Sequence, residues 1–359
     1  MLEDRIFYIE LHMKYSRKQI SKAGVTLISS NSPREVEEVM TIINDWRSNH
    51  VYILDQLKPF ISNLFEENDI EPLFFSKRLK RMTSIQYKLD LNPEMGLGGM
   101  QDIGGIRFVL QDVSTLEKAF LLIKQTLPKN FNIYRIRDYV NDCPKPSGYR
   151  SIHVVYQYSS EDERYDGLRV ELQIRTKLQH NWATAVETAG LTTNTSLKSS
   201  QGDDTWLLFF KLVSCLMSIK ERKPIMEDYA KHSMEKLMRL CFKMDTKYKF
   251  TDTLKALRVT VKNVVENKYK DDLYLVIINF EDSTVHVTGY NVDERQYAIN
   301  QYAIEEETAV DGKKAVVLVA VDNIRNLKEA YPSYFLDTSE FIMVLESIKR
   351  NCLEMGWVD

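Results

Sequence analysis

Apolar positions along this chain fall into two rhythms, and the switches between them mark the elements. From Ser32 and Pro33 onward, "SPREVEEVMTIINDWRSNHVYILDQLKPFISNLFEEN" repeats its apolar residues every three or four positions behind an acidic start, which predicts one long helix over 33–66. The basic stretch "SKRLKRMTSIQYKL" predicts a second helix over 76–90. A glycine-rich loop, "GLGGMQDIGG", then runs into a strand over Ile106 to Leu110, and helical spacing returns over 114–126. Period two follows in "SIHVVYQY" (151–158) and "LRVELQI" (168–174), joined by the polar turn "SSEDERYDG", before a helix over 177–189.

The alternation also sorts faces. Val170, Leu172 and Ile174 point one way, while Arg169, Glu171, Gln173 and Arg175 point the other; in the strand before, Ser151, His153 and Gln157 oppose Ile152, Val154 and Tyr156. One face of the sheet is apolar. The polar face either carries chemistry or meets water, as antiparallel sheets allow. The order helix, strand, helix, strand, strand, helix predicts a mixed sheet covered by helices.

Past Gly190 the polar "LTTNTSLKSSQGDD" (191–204) reads as a loop or linker, followed by helices over 205–220 and 226–245. Beyond 249 come "LYLVIINF" and "TVHVTGY" around the turn "EDS", then "KAVVLVAV" and the helical "DTSEFIMVLESIKRN". The fold class expected is α+β, in four parts: an N-terminal helical region (1–49), a mixed-sheet unit (50–195), a helical extension (196–248) and a C-terminal α+β domain (249–359). A length of 359 residues supports a division, because single cores stop growing at roughly 250–300. The long alternating strands of the last part suit a core and also suit contacts between copies of the chain.

Composition narrows the function classes. With 28% charged residues and no apolar run of about 18, the chain offers no membrane span. Its first residues, "MLEDRIFYIELHMKYSRK", lack the uninterrupted apolar stretch of a signal peptide, so a cytoplasmic protein is expected. Cys143, Cys215, Cys241 and Cys352 are scattered without a C-x-x-C pair, which suggests reduced thiols rather than a zinc ribbon or disulfide framework. A net charge of −3 argues against wholesale coating of nucleic acid. Residues 76–89 are the local exception, with Lys77, Arg78, Lys80, Arg81 and Lys88 and no acid; such a run is either a solvated face or a phosphate grip.

Candidate chemistry gathers around that basic run. Asp102 and Glu171 are two carboxylates suited to holding Mg²⁺ against nucleotide phosphates, since Mg²⁺ usually takes one or two protein carboxylates and completes its shell with water and phosphate oxygen. Glycines 96, 98, 99, 104 and 105 permit close approach of a ligand, or only a tight turn. In "PKPSGYRSIH" (144–153), Pro144 and Pro146 stiffen the chain, Gly148 allows a sharp turn, Tyr149 offers a ring, and Lys145 and Arg150 suit phosphates. The decapeptide reads as a ligand clamp or as a stiff turn whose tyrosine packs on the sheet rim.

Four segments in order, "RLKRMTSIQYK" (78–88), "DIGGIR" (102–107), "RDYVNDCPKPSGYRSIH" (137–153) and "VELQIRTKLQHNWA" (170–183), resemble the motifs of the RelA/SpoT nucleotidyltransferase domain of alarmone synthetases. The resemblance covers about residues 50–195 and implies a nucleotidyltransferase-like synthetase domain that transfers pyrophosphate from ATP to the ribose 3′-hydroxyl of GDP or GTP. It implies that Arg78, Lys80, Ser84, Lys88 and Arg107 hold ATP, and that Asp102 and Glu171 carry Mg²⁺, with Glu171 assisting deprotonation of the attacking hydroxyl. Tyr149 would stack on the acceptor base, and Lys145, Arg150, His153, Gln173 and His180 would hold or orient the acceptor. Two other readings follow from the same resemblance: a toxin-type member acting on the tRNA 3′ end, and a catalytically silent binding module. The chain has Gly104 where the family often has alanine or serine, and "LDLNPEMGLGG" where many synthetases have further basic residues. It has no His-Asp dipeptide, so alarmone hydrolysis is not expected, and its last 160 residues resemble none of the family's regulatory modules.

Overall fold

The computed structural model describes residues 15–92, 94–193, 204–259, 262–265, 273–279, 284–309, 314–320 and 337–358. Ser16 opens helix α1 (Arg17–Ser29) with a capping box to Gln19, and Ser32 caps α2 (Pro33–Glu66), the long helix that the sequence predicts. Residues 76–90 do not form one helix. They split into strand β1 (Phe74–Leu79) and helix α3 (Met82–Asp90), with Arg81 extended between them. The reason is long-range: Phe74–Leu79 pairs antiparallel with Val109–Gly104, and that ladder outweighs local helical spacing.

Strand β2 (Gly104–Leu110), helix α4 (Val113–Gln125), strands β4 (Ile152–Tyr158) and β5 (Arg169–Thr176), and helix α5 (Lys177–Thr193) follow the predicted rhythm. Strand β3 (Phe131–Asp138) was not predicted. Among the described residues it pairs with β4 alone and leaves Tyr134 and Ile136 exposed, so its alternation is weak. Helices α6 (Asp204–Lys220), α7 (Met234–Tyr248) and α8 (Phe250–Val259) come next; α7 begins later than the 226–245 reading because Ser233 caps it. Strands β6 (Lys262–Val265), β7 (Leu273–Asn279) and β8 (Thr284–Tyr290), helix α9 (Arg295–Glu307), strand β9 (Lys314–Ala320) and helix α10 (Ser339–Glu354) follow among the described residues. Most of the expected 191–204 linker and the turn at 281–283 lie outside the described residues.

Among the described residues the architecture is α+β, around one nine-stranded mixed sheet in the order β3-β4-β5-β2-β1-β9-β7-β8-β6. Strand β2 is parallel to β5, and β1 joins the two halves of the chain by pairing with β2 on one side and β9 on the other. Apolar residues of β2, β4 and β5, including Ile106, Val154 and Leu172, bury against α1, α2 and α4. A second cluster gathers α5, α6, α7, α8 and α10 around Trp182, Phe210 and Phe341 and takes in Tyr149. A third joins Phe74 and Val109 to Tyr274, Val276, Val317 and Val319 of the C-terminal strands. No helix among the described residues is long and apolar enough to cross a membrane.

Candidate active site

The end of β1, the start of β2 and one face of β5 converge. The Lys80 backbone N–H donates to Ile103 O at 2.7 Å, which brings the β1–α3 junction beside Asp102. Lys80 Nζ then donates to Asp102 Oδ2 at 3.1 Å, and Lys88 Nζ, about one turn along α3 from Ser84, donates to Oδ1 at 2.8 Å. Burial pushes the Asp102 carboxyl up, but the charges of Lys80 and Lys88 and their hydrogen bonds outweigh it and hold the group well below the usual carboxylate range. Burial lowers Lys80, with Asp102 pulling against it. Ser84 is half-buried on α3.

Register sets the rest of the face. Arg78 of β1 stands opposite Gly105, and Arg107 of β2 stands opposite Gln173, so both lie in the strand positions that share a face with Glu171. Gly104 has its own constraint: a Cβ there would meet His50 Cβ at 3.1 Å and Leu54 Cδ1 at 3.2 Å, so α2 sits tight against the strand. Glu171 is 7% exposed. Its Oε1 accepts from His153 Nδ1 at 2.8 Å, and its Oε2 accepts from Gln173 Nε2 at 2.6 Å. Burial pushes Glu171 up, yet His153 and Gln173 hold it below its ordinary value; nearby Asp102 opposes them, so the two carboxylates lie in each other's field. Lys145 feels both acids as well as Arg137 and Lys88.

The decapeptide forms a hairpin-like turn. Gly148 N donates to Lys145 O at 2.7 Å and Lys145 N to Tyr149 O at 3.0 Å, with Gly148 at φ +90°. Ser214 of α6 donates to Gly148 O and pins the turn to the helical cluster. Tyr149 is not an open ring at the strand entrance, as the sequence suggested: it is 8% exposed, edge-on to His153 with centroids 5.6 Å apart, and packed near Trp182. Its hydroxyl is hydrogen-bonded to His153 Nε2 at 3.0 Å. Lys145 Nζ lies over the rings of both Tyr149 and Tyr139, 5.1 and 4.8 Å from their centroids.

Two expected acceptor residues are placed elsewhere. Arg150 alternates away from Tyr149 and donates to Glu221 Oε2 at 2.8 Å; the same carboxylate accepts from Gln179 Nε2 at 3.0 Å and from the Thr176 hydroxyl. His180 is buried at the other end of the strands, with its Nδ1 held by Arg175 Nη2 at 2.6 Å and its ring edge-on to Phe74. Burial and the neighbouring Arg107 charge both lower the Arg175 guanidinium. The sequence reading passed over Tyr139, Arg137 and Glu221. Arg137 stands opposite His153 in the β3–β4 pairing, so recognising β3 would have found it. Glu221 gives no sequence signal, since its role depends on α6 folding back.

Among the described residues no group of three or more His, Cys, Asp or Glu gathers as a metal site. Mg²⁺ does not require one. Two hard carboxylates within each other's field, with lysines beside them that a phosphate can draw off, fit an ion that takes the rest of its shell from substrate and water.

Residues 77–192 match the family described as a region found in RelA / SpoT proteins. A GTP pyrophosphokinase of Haemophilus influenzae is 26% identical over 152 residues, which are 42% of this chain and 19% of that protein, so the chain spans about a fifth of this relative's length. Among solved structures, small alarmone synthetase 1 from Bacillus subtilis bound to its product pppGpp is 26% identical, with a TM-score of 0.41 over 49% of this chain and 90% of that one. Small alarmone synthetase 2 from the same organism is 23% identical, with a TM-score of 0.41 over 50% and 93%.

Proposed function

We propose that this chain, whose residues 77–192 carry a RelA/SpoT-type synthetase domain, transfers pyrophosphate from ATP to the ribose 3′-hydroxyl of GDP or GTP. The observation that carries the reading is that Asp102, held by Lys80 and Lys88, lies within the electrostatic reach of Glu171, whose strand face also carries Arg78 and Arg107. Such transfer depends on in-line positioning and on neutralising charge that spreads over phosphate oxygens, the task of a cation cluster. In balance, the acceptor O3′ attacks the β-phosphorus of ATP, the bond from that phosphorus to the bridging oxygen of the α-phosphate breaks, and AMP leaves with the electron pair.

Each residue then has a task. Arg78, Lys80, Ser84, Lys88 and Arg107 hold the ATP phosphates, and the lysines exchange Asp102 for phosphate oxygen as they do so. Glu171, kept ionised by its neighbours, takes the proton from the 3′-hydroxyl. His153 and Gln173 fix the direction of its two oxygens. Lys145 lies over the Tyr149 ring, and moving to an acceptor phosphate would uncover the part of the ring it now covers. Mg²⁺, held by Asp102 and Glu171, would supply charge neutralisation at the transferred phosphates. Arg150 and His180 contribute through the fold around the acceptor turn and the far end of the face. The 249–359 part is an appended unit joined to the synthetase through the sheet.

The test is to offer γ-labelled ATP and Mg²⁺ with GDP, GTP and deacylated tRNA in separate reactions. Label on GDP or GTP is expected, with weak dependence on salt. Label on tRNA alone, declining steeply with salt, would replace the acceptor. No transfer to any acceptor would leave a binding module.

A further inference from the structure

Helix α3 carries Ser84 and Lys88, yet its own N-terminus is poorly equipped: Arg81 at the N-cap makes no side-chain cap bond, and the first turn holds no acid. The leading N–H groups of a helix need partners from elsewhere. The partner for Met82 N comes from 224 residues downstream, the carboxylate of Glu306 on α9. Glu306 also accepts from Arg47 Nη1 at 3.2 Å and from the Tyr302 hydroxyl at 2.8 Å. Arg47, on α2, uses its Nη2 to donate to Lys80 O at 2.8 Å and to the Tyr302 hydroxyl at 2.9 Å.

One knot therefore grips the backbone on both sides of Arg81, at the Lys80 carbonyl and at the Met82 amide. These are the points that aim Lys80 and start the helix bearing Ser84 and Lys88. The pair at its centre is sealed, with Arg47 and Glu306 side chains 3% and 6% exposed. A buried ion pair is a poor source of net stability compared with apolar packing, so its use here calls for a geometric reason. Strand β9 adds a second attachment, pairing Val319 and Ala320 with Arg78 and Lys77.

We propose that Glu306 is a positioning residue of the ATP half-site, capping α3 from the C-terminal unit so that Lys80, Ser84 and Lys88 present as one phosphate grip. The proposal rests on the synthetase reading and gives the C-terminal unit a task in it. Glu306 touches no reacting atom, and among the described residues none of the hydrogen bonds or ring contacts of Tyr149, His153 or Lys145 passes through the knot.

The experiment uses the full-length chain, as wild type, Glu306→Gln and Tyr302→Phe. Calorimetric affinity for α,β-methylene-ATP and for GDP is measured with amide hydrogen exchange over α3. Glu306→Gln should weaken the ATP analogue about tenfold, leave GDP within about twofold, and speed exchange in the first turn of α3. Tyr302→Phe, which keeps the ion pair, should move the same readouts in the same direction by less; it serves as the test should Glu306→Gln not fold. An equal loss for both nucleotides, or ATP-analogue binding and α3 exchange that match wild type, would overturn the proposal. Wild-type protein that binds neither nucleotide would overturn the synthetase reading, and this proposal with it.

Discussion

Glu171 is held at both oxygens, by His153 on one side and Gln173 on the other, so its direction is fixed before it has anything to accept. Glu171→Gln keeps the shape and removes the basic oxygen; turnover should fall by about 10²- to 10⁴-fold while the acceptor KM changes little, as steady-state transfer assays would read. Asp102 makes a separate prediction, in pH. Its folded value is depressed, so it contributes stability above the ordinary carboxylate range, and that contribution is lost as pH falls through the depressed value. The melting-temperature gap between wild type and Asp102→Asn should therefore be widest near neutrality and shrink as pH drops below about 4. A gap that widens in acid would contradict the assignment. At this scale the sequence was informative about identity: alternation alone put Glu171 and Gln173 on one face. It could not show that Tyr149 would be buried under Lys145, or that Arg150 would turn to Glu221, because both depend on α5 and α6 packing over the turn.

Among the elements, the turn at 145–149 and the β1–α3 junction differ in how far local chemistry determines them. The turn is shaped locally by two prolines and a glycine at φ +90°, and a serine from α6 then pins it. A Cβ at position 148 would stand 3.0 Å from Ser214 Cβ and 3.2 Å from Trp182 Cζ2. Gly148→Ala should then cost about 1–2 kcal/mol in a urea melt and raise the KM for GDP more than that for ATP. Equal effects on both substrates would mean that the turn serves only the fold. The junction is not local. "SKRLKRM" reads as part of a helix and carries no alternation to reveal that it is half strand; the ladder to Gly104–Val109 makes it so. Helix α9 was missed for a related reason: Ala298 and Tyr302 are buried while Tyr297 and Ile304 are exposed, so its apolar residues mark no clean stripe.

For the whole molecule, the sequence showed the strands now seen at Leu273–Asn279, Thr284–Tyr290 and Lys314–Ala320, but strand pairing between distant segments leaves no mark in composition. The sheet continues through β1 into β9, and Phe74 and Val109 are buried among Tyr274, Val276 and Val317. Calorimetric unfolding should accordingly give one cooperative transition, with equal van't Hoff and calorimetric enthalpies. Two resolved transitions would mean that the C-terminal strands fold apart from the 77–192 region. The central claim remains chemical, and the most direct measurement counts both products of one reaction. With ATP, GDP and Mg²⁺, AMP and 3′-pyrophosphorylated GDP should appear one to one, and both should fall by at least about a hundredfold in Asp102→Asn and in Glu171→Gln. AMP without the nucleotide product, ADP in its place, or variants as active as wild type would contradict the account.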